Sequence, residues 1–214
     1  MLINTNGIFW LGQSAFRIES NGKTLYIDPY NIAETDKKAD LILITHAHFD
    51  HCSFDDVKKI IKKSSVIATA ESCEGKFETE IKPLRAGDRF DESGFSIEAV
   101  RAYNTEKNFH PKSNGWLGFV INLPDGRRIY HAGDTDVIDE MKDIKNIDIA
   151  FLPVGGTYTM DAEEAAAAAR MISPKIAVPM HYGSIVGSLA DAEKFAELLK
   201  DKIKTVILGS GLDI

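Results

Sequence analysis

The alternation of apolar and polar positions changes along the chain. Between residues 8 and 28, short apolar runs (IFWLG at 8–12, AFRIES at 15–20, TLYID at 24–28) are separated by turn residues, as in strands joined by hairpins. Asn21-Gly22 predicts one such turn, because both residues tolerate positive φ. DLILIT (40–45) is continuously apolar after its first residue, the pattern of a strand covered on both faces. SFDDVKKIIKK (53–63) predicts a helix with Ser53 as N-cap and Asp55 and Asp56 in its first turn. SVIATA (65–70), FSIEAVRAY (95–103), LGFVINL (117–123) and RRIYHAG (127–133) read as strands, with a PDG turn at 124–126 between the last two.

The last third alternates strand and helix. IDIAFLPV (147–154) predicts a buried strand, and DAEEAAAAARMI (161–172) a helix capped by Asp161 and stopped by Pro174. KIAVPM (175–180) is the next strand, DAEKFAELLK (191–200) a helix and TVILGS (205–210) a final strand. Early hairpins followed by strand–helix alternation predict an α/β protein of mixed sheets covered by helices. No linker-like tract divides the 214 residues, so one domain over 1–214 is expected.

Composition narrows the function. A net charge of −7 disfavours a surface built to grip phosphates. Lys58, Lys59, Lys62 and Lys63 cluster at helical spacing and read as a solvated helix face. Cys52 and Cys73 form neither a CxxC nor a disulfide framework, which fits a reducing cytoplasm; Cys52 adjoins candidate ligands and is a conceivable further one. MLINTNGIFWLG has no basic segment before an apolar one, and no apolar run approaches ~18 residues, so neither secretion nor a membrane span is expected.

The chemistry is concentrated in one place. Of six histidines, three fall in THAHFDH (45–51), directly after the DLILI run. In a turn leaving a strand, His46 and His48 can point to one side while Asp50 and His51 turn towards a second point, so one loop can serve two adjacent metals. Imidazole and carboxylate suit zinc and other first-row metals. Three further candidates sit at or near strand ends: His110 in the loop 104–115, Asp134 after RRIYHAG, and His181 after KIAVPM. Alone, each is compatible with an ordinary loop, capping or half-buried role.

FWLGQSAFRI (9–18), LYIDPY (25–30), THAHFDH, AGDTD (132–136) and PMHYG (179–183), in that order, resemble the metallo-β-lactamase superfamily. The closest similarity is to its small stand-alone metal-dependent hydrolases, the branch that includes ascorbate-phosphate lactonase-like proteins. The resemblance implies a four-layer αββα sandwich with two divalent metal ions in a groove at the edge of the sheets. It implies that His46, His48 and the loop histidine hold one metal, that Asp50, His51 and His181 hold the other, and that Asp134 bridges them. His110 is the loop candidate, with Asn104 a competing polar residue.

Gln13 departs from many relatives, which carry histidine in this LG-x-S turn; glutamine cannot donate a proton as imidazolium does, so a difference in substrate or rate is expected. Asp28 is expected to accept from the outer N–H of a ligating histidine. His131 reads as a core or supporting histidine, and Tyr158 and Thr159 as groove-mouth residues that contact substrate or simply pack.

The expected activity is hydrolysis of an ester, lactone or phosphodiester of a small molecule by metal-bound hydroxide, with Asp50 and Asp134 as catalytic carboxylates. Zinc is the first expectation; manganese, iron and nickel suit the same donors. The lactonase likeness suggests a small, phosphorylated substrate. The rival readings are an RNA or DNA phosphodiesterase and a non-catalytic metal-binding protein. Oligomeric state does not follow from these residues.

Overall fold

The computed structural model describes residues 5–35, 37–77 and 79–209. Two sheets are built from similar halves. The first contains β1 (Ile8–Gly12), β2 (Ala15–Ser20), β3 (Lys23–Ile27), β4 (Leu41–Ile44), β5 (Val66–Ala70) and β6 (Lys82–Leu84), in chain order. β1 to β3 form an antiparallel meander, and β3 to β6 are parallel. The second contains β7 (Arg89–Glu92), β8 (Phe95–Arg101), β9 (Leu117–Asn122), β10 (Arg128–His131), β11 (Ile149–Pro153), β12 (Ile176–Met180) and β13 (Lys204–Thr205). Here β7 to β10 are antiparallel and β10 to β13 parallel.

The continuous apolar run of β4 is explained by its position. Leu41 and Leu43 face the core between the sheets, while Ile42 and Ile44 face an outer apolar layer. That outer layer is closed by Val57 and Ile60 of α1 (Phe54–Ile60). On the far side, α2 (Ala162–Ile172) and α3 (Leu189–Leu199) cover the second sheet with Ala165, Ala168, Ala169, Phe195 and Leu199. The order helix, sheet, sheet, helix is the αββα sandwich. Phe16 and Phe151 stack with ring centroids 4.0 Å apart within the core. Among the described residues, no helix is long and apolar enough to cross a membrane.

Capping fixes the helix ends. Asp161 accepts from the Glu164 backbone N–H at 2.8 Å, and Glu164 reciprocates at 3.0 Å. Asp161→Ala should lower stability by about 1 kcal/mol. A denaturation series would show this as an earlier midpoint at unchanged slope.

The structure departs from the sequence expectation in four places. β6 and β7 read KPL and RFDE, too short and too polar to signal strands. α3 starts two residues before the expected Asp191, because Ser188 and Asp191 form its capping box. α1 stops at Ile60, since the Lys62 N–H bonds to Ser65 Oγ in the following turn. Lys62 and Lys63 therefore lie off the helix, and Lys59 and Lys62 pair with Asp56 and Asp40 rather than forming a free basic face. Finally, the expected strand 205–210 is reduced to the pair Lys204–Thr205; Ser210 lies outside the described residues. The Val206 N–H still bonds to the Ala177 carbonyl, but the next rung needs an N–H from residue 179, which is proline.

Candidate metal centre

The candidate side chains sit where strands of both sheets end. His46, His48, Asp50 and His51 follow β4, Asp134 follows β10, His181 follows β12, and His110 lies in the loop from β8 to β9. Their donor atoms converge in three overlapping groups: His46, His48 and His110; Asp50, His51 and His181; and His46, His51 and Asp134. In each group the donor atoms lie within 4.8 Å of one another. The first two are the ligand sets implied by the resemblance.

Asp134 lies between them. Its Oδ2 is 3.2 Å from His110 Nε2, 3.4 Å from His51 Nε2 and 3.1 Å from His181 Nε2.

The outer ring nitrogens of His51, His46 and His110 are tied by polar neighbours. His51 Nδ1 lies 2.7 Å from Asp28 Oδ2, as expected of Asp28. Asp28 also accepts from the Thr45 backbone N–H and from Thr45 Oγ1, each at 2.7 Å. With its own proton given to Asp28, Thr45 Oγ1 accepts from His46 Nδ1 at 2.9 Å. Asn104 Oδ1 accepts from the His110 backbone N–H at 2.8 Å and faces His110 Nδ1 at 3.1 Å. An amide oxygen only accepts, so the His110 proton sits on Nδ1 and Nε2 points inward.

Asn104 is therefore the partner of His110, not its rival. It is held in turn by donating to Asp136 Oδ1 and to the Tyr158 carbonyl, both at 3.0 Å. Asn104→Ala should weaken metal uptake roughly 10-fold, read by chelator competition.

Backbone strain accompanies the site. Gln13, Asp28 and His181 have φ of 50°, 45° and 59°, in the left-handed region that such residues adopt rarely. A Cβ on Gly155 would lie 2.4 Å from the His181 carbonyl, so only glycine allows this approach.

Asp28, Asp50 and Asp134 are almost fully buried. Among the described residues their ion-pair partners are histidines, with no lysine or arginine. Burial disfavours a charged His51, yet Asp134 and Asp28 outweigh it and hold its pKa well above the ordinary value. Burial also opposes ionisation of Asp134, but His181 and His51 overcome it and hold that carboxyl well below the usual range. Burial, and then His51, push the pKa of His46 well below the ordinary imidazole value.

Several inward atoms have no hydrogen-bond partner: Nε2 of His51, His110 and His181, and Oδ1 of Asp134. Buried carboxylates with no fixed cation, facing buried nitrogens with no partner, fit divalent cations.

Other candidates resolve differently. His131 stays out of the cluster: its Nε2 meets the Ser14 carbonyl at 3.0 Å and its Nδ1 accepts from the Gly133 N–H at 3.2 Å. Cys52 and Cys73 are free thiols buried in the outer apolar layer beneath α1, and neither joins a candidate ligand group. Tyr158 is half-buried, its ring edge-on to Phe109, and Thr159 is buried. Gln13 is buried and donates from Nε2 to Asp50 Oδ2 at 3.0 Å.

Sequence reasoning did not find Trp116, whose ring lies 4.7 Å from those of His46 and His48, nor Asp136. The second aspartate of AGDTD was the only sequence signal for Asp136.

Residues 7–181 match the family model described as a beta-lactamase superfamily domain. A UPF0173 metal-dependent hydrolase of Thermoplasma acidophilum is 36% identical over 205 residues, covering 89% of each chain. Among solved structures, one from Parabacteroides distasonis, assigned to the metal-dependent hydrolases, superposes with a TM-score of 0.86 at 37% identity, covering 94% of this chain and 91% of that one. The Igni18 metallo hydrolase of Ignicoccus hospitalis superposes with a TM-score of 0.78 at 25% identity over 97% and 96% of the two chains. With the fold, the histidine–aspartate cluster and these similarities in agreement, the chain belongs to the metallo-β-lactamase superfamily, among its stand-alone metal-dependent hydrolases.

Proposed function

We propose that this protein uses two divalent cations, zinc in the first instance, to hydrolyse an ester, lactone or phosphodiester of a small molecule. His46, His48 and His110 would hold one cation and Asp50, His51 and His181 the other, with Asp134 shared between them. The observation that carries this reading is the placement of Asp134 Oδ2 within 3.4 Å of ring nitrogens from both histidine groups. Cations bound there supply Lewis acidity towards the attacked group and lower the pKa of water towards neutrality.

The protein's own residues supply the rest. Asp28, Thr45 and Asn104 fix the tautomers of His51, His46 and His110, so the donor atoms are aimed before anything binds. Asp50, held by Gln13 Nε2, is oriented to accept a proton from attacking water. The paired state of Lys59 and Lys62 supports a small-molecule substrate over nucleic acid.

A turnover screen of the purified protein over lactones, phosphodiesters and thioesters, with zinc and with manganese, tests the reading. Metal-dependent turnover of at least one class is expected. Stoichiometric metal with no turnover in any class would instead identify a metal-binding protein without catalysis.

A further inference from the structure

Two aspartates stand two residues apart after β10 and face different ways. Asp134 points into the metal centre, beside His51, His110 and His181. Asp136 is equally buried, at 3% exposure, but joins none of the candidate ligand groups. The four donors that its carboxylate meets among the described residues come from one short stretch of the loop between β8 and β9. Oδ1 accepts from Asn104 Nδ2 at 3.0 Å and from Lys107 Nζ at 2.8 Å. Oδ2 accepts from the Thr105 backbone N–H at 2.9 Å and from Thr105 Oγ1 at 3.4 Å. An ionised carboxylate has about four acceptor sites, so the capacity of Asp136 is filled by this loop.

The loop needs an anchor because of what it carries. His46 and His48 follow directly from β4, which is paired on both sides. The third member of their group, His110, lies in a stretch with no regular element between Arg101 and Lys112. Asn104 closes this stretch on itself: its N–H donates to the His110 carbonyl at 2.7 Å, and its Oδ1 takes the His110 N–H. That closure fixes His110 only relative to Asn104. Asp136 and the Tyr158 carbonyl tie Asn104 to the rest of the molecule. The Asp136 backbone N–H adds a bond to the Tyr103 carbonyl at 3.0 Å.

One three-residue segment thus bears both the shared carboxylate and the anchor of the loop histidine. Their register shows in the 3.2 Å between Asp134 Oδ2 and His110 Nε2. The other ligand group is supported elsewhere. Asp28 holds His51, Gln13 Nε2 holds Asp50, and the Gln13 carbonyl accepts from the His181 N–H.

Resting on the two-cation reading above, we propose that Asp136 is a positioning residue: acting through Asn104, it holds the loop so that His110 completes the ligand group of His46 and His48. Its effect on metal is confined to that group. Lys107, whose side chain is 25% exposed, is the counter-charge that allows a carboxylate to be buried here.

A chelator titrated against zinc-loaded wild-type protein should remove two zinc ions in two steps. Asp136→Ala should weaken the site that His48→Ala abolishes by about 10-fold, and leave the other within about 2-fold. Asp136→Asn keeps the volume but has one acceptor oxygen, and should weaken the same site. In an Asn104→Ala background, Asp136→Ala should add no more than about 2-fold, because one residue acts through the other. A carboxylate that only stitched the fold together would weaken both sites alike, or add its full effect to that of Asn104→Ala. Either result overturns the proposal.

Amide hydrogen exchange in the zinc-loaded protein keeps the two readings apart. Asp136→Ala should speed exchange at the Asn104 and His110 N–H groups about 10-fold or more, with the His51 and His181 N–H groups unchanged. If the wild-type protein holds fewer than two zinc ions but this local loosening appears, the two-cation reading fails and the anchoring of His110 by Asp136 stands. Unchanged exchange at His110 overturns the proposal at any zinc stoichiometry; in protein that holds two zinc ions, it fails alone.

Discussion

Asp134→Ala should reduce turnover on the order of 10³-fold or more, because shared Lewis-acid stabilisation is worth several kcal/mol. Among the described residues, Asp134 is the one carboxylate whose Oδ2 lies beside His51, His110 and His181 together. Removing it leaves three buried imidazoles facing one another, with no anion to join the two ligand groups. The variant should retain less than two equivalents of zinc after dialysis, measured by elemental analysis, while the far-ultraviolet circular dichroism stays that of the folded chain. Wild-type turnover in a folded Asp134→Ala protein would remove Asp134 from the mechanism.

Asp28→Asn should weaken metal binding by roughly 10- to 100-fold although Asp28 belongs to no candidate ligand group. The two Asp28 oxygens take three hydrogen bonds, from the Thr45 N–H, Thr45 Oγ1 and His51 Nδ1. An amide offers one acceptor oxygen and one donor nitrogen, so at least one of these donors meets an N–H. With the amide oxygen at the Oδ1 position, His51 Nδ1 and Thr45 Oγ1 both lose their acceptor; with it at the Oδ2 position, the Thr45 backbone N–H is unmet and Thr45, which carries His46, must shift. The backbone should tolerate the change, since φ at this position is 45° and asparagine is among the residues that adopt that region most readily. Stability should fall by about 1–3 kcal/mol as a buried donor goes unmet. Competition with a chelator reads the affinity; unchanged affinity would show that Asp28 serves only the backbone at Thr45.

What was legible in the sequence divides by range. His46, His48, Asp50 and His51 stand out because four donors occupy six positions after an apolar strand, and a local pattern of that density has few structural uses. β4 and β11 were legible because burial on both faces demands unbroken apolar runs. β6 and β7 were not, because edge strands of three and four residues need no such run.

The supporting layer was only partly visible. The role of Asp28 follows from the usual pairing of a carboxylate with the outer N–H of a ligating histidine. The role of Asn104 was not visible: it depends on a loop folding back to His110, six residues on, and on Asp136, thirty-two residues away. The bond from Gln13 to Asp50 spans thirty-seven residues and joins a hairpin tip to a metal loop, which composition and spacing do not reveal. The end of β13 was predictable in principle, because Pro179 removes the N–H that a longer ladder needs.

The central claim is that two cations sit in two defined ligand sets joined by Asp134. Anomalous difference density at the zinc edge, from crystals of the zinc-loaded protein, tests it directly. The account predicts two peaks, one within about 2.0–2.2 Å of His46, His48 and His110 and the other within the same range of Asp50, His51 and His181. A single peak coordinated outside these sets, or none in protein that hydrolyses its substrate at full rate, would contradict it.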